Sequence, residues 1–298
     1  MDEAEAQMTL LDHAGVEWSR VRQTRYWMYQ RFQYRYPGSI RELHQRLLVI
    51  PSERYGDQRV CDFTLCVSEP TASTRMQQDS FGNRVFLVYA PEAAAEVVFE
   101  LRLVVERDLD LPALPRLMRE ELAPYWAHTP LTAVDGALAA TARQLAAQHE
   151  APEQLCEAIS AWVSRAMRYG AGATSVSSTA AAALAAGQGL CQDYAHIMLA
   201  LCRAAGIPAR YSSGHMLGEG GSHAWVEALL PDTQGGGYRA VAFDPTNDRR
   251  TTPAYITVAL GRDYSDVAPT SGNYIAPYTG QLTTSKRAGL THLQYRQG

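Results

Sequence analysis

Three side chains in the second half of the chain could together form and break an acyl–sulfur bond: Cys191, His223 and Asp244. Gly187, Gln188 and Gly189 disfavour continued helix, so the Ala-rich stretch before them should stop there. From Tyr194 to Ala205 the chain is almost wholly apolar, and Gly206 and Pro208 end the run. Cys191 therefore falls in the first turn of a helix that is apolar all round, and so buried. A helix start carries partial positive charge and unpaired N–H groups. Both suit a nucleophilic sulfur, and the same N–H groups can hold an oxyanion. Asp193 suits the first turn as a partner for a free N–H. A free cysteine is ordinarily just a small buried hydrophobe. Cys202, 11 residues on (202 − 191) and mid-helix, is read that way.

Ser222 to Leu230 alternates as a strand, with His223, Trp225 and Glu227 on one face. Tyr238 to Phe243 reads as the next strand, broken by Pro245, which leaves Asp244 at its end. A lone histidine is ordinarily a satisfied core or surface residue, and Asp-Pro-Thr-Asn is also good turn chemistry. Taken together, the order cysteine, histidine, aspartate on helix, strand, strand supplies a nucleophile, a base and an orienting carboxylate. Gln188 or Gln192 could add a side-chain N–H to the oxyanion site, and Gln188, just ahead of the helix, is the better placed. His196 lies about 140° around the helix from Cys191 and cannot be the base. His215 reads as a surface histidine in a Gly-rich loop. Thiolate and imidazole also bind metals, but the close ligand pairs of zinc sites are missing. No phosphate loop or dinucleotide glycine pattern is present either, so the expectation is a site without metal or cofactor.

These blocks carry a resemblance. Gly-Leu-Cys-Gln-Asp-Tyr-Ala-His, Leu-Cys-Arg-Ala-Ala-Gly-Ile-Pro-Ala-Arg-Tyr, Ser-His-Ala-Trp-Val-Glu, Asp-Pro-Thr-Asn and Gly-Arg-Asp-Tyr-Ser-Asp-Val, in that order across residues 187–267, resemble the core of the bacterial transglutaminase-like superfamily. Leu190 departs from the pattern, since valine is commoner before the cysteine. The resemblance implies a papain-like fold with a Cys-His-Asp triad at Cys191, His223 and Asp244. It does not imply crosslinking, because many members are hydrolases. The stretch before the core, with its Asp-Ser-Phe-Gly-Asn turn, is similar to the N-terminal domain of many bacterial relatives.

The rest of the chain must position these residues. Its 298 residues are 46% hydrophobic and 19% charged, a globular composition with room for two domains. A net charge of −4 offers no basic field for nucleic acid. No apolar run is long enough to span a membrane, and the acidic N-terminus does not read as a signal peptide. Five cysteines without a framework spacing point to a reducing cytoplasm. The expected architecture is α+β: an N-terminal arm (1–22), an antiparallel β-sandwich (23–110), and a papain-like transglutaminase-core domain (111–298) with the cysteine helix packed on an antiparallel sheet. Sandwich strands are expected at 25–37, 41–50, 58–68, 72–80, 84–90 and 95–107, with Cys61 and Cys66 on opposite faces of one of them. Helices are expected at 131–149 and 153–168, with Trp162, Ala166 and Tyr169 turned to the core, and a short Ala-rich helix is expected after Thr179. The resemblance also implies that the Gly/Ser/Thr loop 170–178 borders the substrate cleft, as a candidate cleft wall. Strands near 208–214, 222–230, 238–244 and 254–260 follow, and 280–296 should add one or two more. The expected activity is cysteine-dependent hydrolysis of a peptide or isopeptide-like amide in a peptide or protein substrate. A protein-glutamine acyltransferase with an amine acceptor, or a non-catalytic scaffold, are the alternatives.

Overall fold

Alternating apolar and polar residues between Val21 and Asp108 build β1 (Val21–Arg35), β2 (Ile40–Leu47), β3 (Arg54–Tyr55), β4 (Gln58–Val67), β5 (Ser73–Gln78), β6 (Arg84–Ala93) and β7 (Glu96–Asp108). This is a computed structural model, and it describes residues 8–218, 220–232 and 236–296. Strands β1, β7, β4 and β3 pair in that order in one sheet, and β2, β6 and β5 in another. Inward-facing side chains such as Phe63 and Phe86, edge-to-face at 6.0 Å, join the two sheets into a sandwich. The Asp79–Asn83 turn forms as its composition requires: the Asp79 carboxylate accepts the N–H groups of Phe81 and Asn83, and Gly82 takes a positive φ of 81°. Cys61 and Cys66 are both exposed, not on opposite faces. The register against β7 shifts between Val60 and Asp62, and this bulge at Cys61 inverts the alternation after it. In the arm, Leu11 bridges to Leu290 and Trp18–Arg20 makes one 3₁₀ turn, so no α-helix forms between residues 8 and 20. Residues 1–7 lie outside the described residues.

The second half of the chain begins with the short β8 (Arg116–Leu117). Helices run from Gly136 to Gln148, capped by Asp135, and from Pro152 to Ala166. β9 (Arg168–Tyr169) follows, then a helix from Ala180 to Ala186 that starts on the Thr179 hydroxyl and stops at Gly187, whose φ is +63°. β10 (Gln188–Gly189) pairs in parallel with β9 and leads into the cysteine helix, Cys191–Ala204. β11 (Ala209–Met216), β12 (His223–Pro231), β13 (Tyr238–Asp244), β14 (Arg249–Arg250) and β15 (Tyr255–Gly261) form one sheet in the order β14-β13-β12-β11-β15, with β8 on β13. The cysteine helix is buried from Asp193 to Arg203 because it packs on β12 on one side and on the helices Gly136–Gln148, Pro152–Ala166 and Ala180–Ala186 on the rest. Arg203, buried in its last turn, donates to the Ala209 and Arg262 carbonyls and to the Thr132 hydroxyl, which fixes the helix end to the following strand and loop. Arg262 in turn makes a two-pronged pair with Asp266, so the polar 261–267 segment is anchored.

The chain then returns to the sandwich. β16 (Thr270–Ile275) pairs with β2, and β17 (Gln281–Tyr295) runs along β1 for most of its length. Two compact units result: Met1–Ala113 with Met216–Gly221 and Ala268–Gly298, and Leu114–His215 with Ser222–Val267. The C-terminal strands thus extend the sandwich and do not join the second unit, as a boundary at 111–298 had placed them. Among the described residues, no helix is long and apolar enough to cross a membrane.

Candidate active site

The start of the cysteine helix is sharply built. Asp193, in the first turn, accepts the Leu190 N–H at 2.8 Å and the Thr174 hydroxyl at 2.7 Å. Gly189 is required here, because a Cβ at that position would stand 2.5 Å from the Asp193 carboxylate. Cys191 is the first helical residue and is half-buried. Its N–H and that of Gln192 lie in the turn where the helix supplies no carbonyl partners. The contrast with Cys156 and Cys202 is chemical as well as positional. Those two are fully buried, and a hydrogen bond between them, together with burial, holds the Cys156 thiol far above its ordinary range.

His223 opens β12 and donates from Nε2 to the Asp244 Oδ2 at 2.8 Å. That leaves Nδ1 as the ring nitrogen for Cys191, whose hydrogen bond also acts on the imidazole. Burial alone would push His223 down. Its hydrogen bonds to Asp244 and Cys191 outweigh that and hold it up at about 9. Asp244 ends β13 and is completely buried. Five donors satisfy it: His223, the Tyr255 hydroxyl at 2.6 Å and the Asn247 amide at 2.7 Å on Oδ2, and the N–H groups of Thr246 and Asn247 on Oδ1. Burial would raise this carboxyl, but these partners, His223 first, keep it below the usual carboxylate range. Trp225, 1% exposed, lies nearly parallel to the His223 ring at 6.3 Å and edge-on to Tyr255 at 5.4 Å. The His–Asp pair is thereby kept from water, where its hydrogen bond is strongest. The packing depends on Gly214, paired with His223 across β11: a Cβ there would meet the Ile256 carbonyl at 2.0 Å and the Trp225 ring at 2.6 Å.

Cys191, His223 and Asp244 are thus brought together, with the sulfur and the carboxylate acting on the same imidazole. Gln188 is not aimed at the sulfur. The pairing of β10 with β9 turns its side chain onto that segment, where its amide N–H goes to the Ala171 carbonyl and its oxygen to Arg168. Gln192 is likewise spent on the Val176 carbonyl. His196 is buried and neutral, pushed down to about 4 chiefly by desolvation, and accepts the Tyr264 N–H. His215 is buried in β11, which runs to Met216, and is not a surface residue. Tyr169 is not core: the helix stops at Ala166, so helical spacing no longer applies, and the ring is 60% exposed. The sequence did not point to Tyr255, because it reaches Asp244 from another strand. Asn247 was foreshadowed by the Asp-Pro-Thr-Asn turn.

Residues 139–245 match the transglutaminase-like superfamily, and residues 26–106 match the bacterial transglutaminase-like N-terminal region. An uncharacterized protein of Mycobacterium leprae is 40% identical over 156 residues, covering 49% of this chain and 53% of that protein, so the match spans about half the length of that relative. An uncharacterized protein of Mycobacterium tuberculosis is 28% identical over 276 residues, covering 83% of this chain and 87% of that protein. The crystal structure of a candidate cysteine protease from Cytophaga hutchinsonii superposes with a TM-score of 0.75 at 20% identity, covering 92% and 93% of the two chains, and so shares the fold. Residues 139–245 thus carry a transglutaminase-like core and residues 26–106 a bacterial transglutaminase-like N-terminal region, the N-terminal region coming first along the chain.

Proposed function

We propose that the protein is a cysteine-dependent hydrolase of peptide or isopeptide-like amides. The observation that carries this reading is the line from the half-buried Cys191 through His223 to the five-donor Asp244. In the reaction, the Cys191 sulfur, with its proton already resting on His223, adds to the amide carbon and places the carbonyl electrons on oxygen. The Cys191 N–H at the helix start receives that oxyanion. As the carbonyl re-forms, the C–N bond breaks and His223 delivers its proton to the departing amine, leaving a thioester. Water then adds to the thioester carbon and gives its proton to His223. The C–S bond breaks to release the acid, and the sulfur and imidazole return to their starting forms. Asp244 keeps Nε2 protonated and fixes the ring plane throughout.

An amine could resolve the same thioester in place of water. Water is favoured by the open side of the site, where Leu190, directly before the nucleophile, is 40% exposed. An unprotected thioester meets water at roughly 55 M. Product analysis decides between the acceptors. With a peptide library carrying backbone and glutamine side-chain amides, in millimolar primary amine, the expected product is mostly free acid. Mostly amine adduct, with release slowed when amine is withheld, makes the protein an acyltransferase.

A further inference from the structure

Isolated apolar side chains in water are ordinary, but a cluster of them beside a nucleophile is not. Leu190 is 40% exposed, Tyr169 60% and Val176 62%. They are distant in sequence, yet hydrogen bonds gather their segments at the first turn of the cysteine helix. Parallel pairing of β9 with β10 sets Tyr169 opposite Gly189, and the Gly170 N–H meets the Gly189 carbonyl at 3.0 Å. Beyond it, Gln188 holds the Ala171 carbonyl, Asp193 holds the Thr174 hydroxyl, and Gln192 holds the Val176 carbonyl. Gln188, Asp193 and Gln192 are therefore spent on tying the 168–176 segment down. Beside the exposed Arg168, Ser175 and Ser177, this corner presents to solvent an aromatic ring, 6.5 Å from that of Tyr194, and two aliphatic side chains on a fixed backbone. Leu190 is covalently next to the nucleophile, so a chain presenting its carbonyl to the sulfur must pass this patch.

We infer that Tyr169, Val176 and Leu190 form an apolar subsite that receives an aliphatic or aromatic side chain flanking the attacked amide. The inference rests on Cys191 being the nucleophile and adds the class of substrate residue it prefers. A pre-formed apolar patch with a fixed backbone binds such a side chain at little ordering cost. The subsite selects on hydrophobicity and not on charge.

The test needs no natural substrate. Second-order rates of Cys191 alkylation are measured on the full chain by peptide mapping, with iodoacetamide and with N-(2-phenylethyl)iodoacetamide, each relative to glutathione. The wild-type protein is expected to favour the phenylethyl reagent by about ten-fold or more beyond glutathione's own preference, as partial burial of one ring gives. The double variant Tyr169→Ser, Val176→Ser should lose most of that preference. Equal relative rates in the wild type, or a preference undiminished in a variant whose circular dichroism is native, overturn the subsite. If Cys191 reacts with both reagents no faster than glutathione does, the nucleophile assignment fails, and the subsite fails with it. The two failures are therefore distinct readouts.

Discussion

Asp244→Asn is expected to lower turnover by about four orders of magnitude, as loss of the orienting carboxylate does in triads of this kind. The reason lies in the donor count. Oδ2 accepts His223, Tyr255 and Asn247, while Oδ1 accepts two backbone N–H groups. An asparagine amide turned toward Oδ2 would face three donors with a donor, and turned toward Oδ1 it would face two. Either way buried groups are left unpaired and the imidazolium loses its counter-charge. A stability loss of about 1–3 kcal/mol should accompany the loss of turnover. The turn chemistry alone would have tolerated asparagine, but the complete burial of Asp244 does not. Steady-state kinetics on the folded variant, with thermal denaturation alongside, check both effects. Near-normal turnover in the folded variant would mean that another group orients His223.

Cys191→Ala is expected to abolish turnover, a loss of about 10⁶-fold where nucleophile and base act as a unit. It should also move His223. The imidazole is held at about 9 against burial by Asp244 and Cys191 together, so removing the sulfur partner lowers its titration midpoint. In the wild type the folded value lies above the ordinary 6.5. The imidazolium therefore contributes stability that is complete below about pH 6.5 and is lost as pH rises through about 9. Over the same range, kcat/KM should fall on its alkaline limb as the proton needed by the departing amine is lost. Histidine ring NMR titrations of both proteins, with the wild-type pH–rate profile, provide the measurement. An unchanged midpoint in Cys191→Ala would mean that the sulfur and the ring are not partners.

The elements that bear the chemistry were legible because their signals are local. Gly187 and Gly206 bracket the cysteine helix, Pro245 stops β13 at Asp244, and alternation sets His223 and Trp225 on one face. What the sequence withheld is long-range. Tyr255 reaches Asp244 from a different strand, and nothing near either residue encodes that meeting. β16 and β17 carry ordinary strand patterns, which cannot say that their partners are β2 and β1 at the other end of the chain. Gln188 looked available because a residue ahead of a helix can point anywhere, and the two-residue β9–β10 pairing that captures it is too short to leave a periodic signal. The bulge at Cys61 is likewise a single-residue event that period-two reasoning cannot register.

The central claim is that Cys191 is the nucleophile, made reactive by His223 and by its place at a helix start. Brief treatment of the native protein with substoichiometric iodoacetamide at pH 6.5, followed by peptide mapping, tests it most directly. The reagent reports thiolate, and exposure alone would favour Cys61 and Cys66, the two exposed thiols. Modification of the half-buried Cys191 well ahead of the other four is the predicted result, and modification of Cys61 or Cys66 with Cys191 left intact would contradict it.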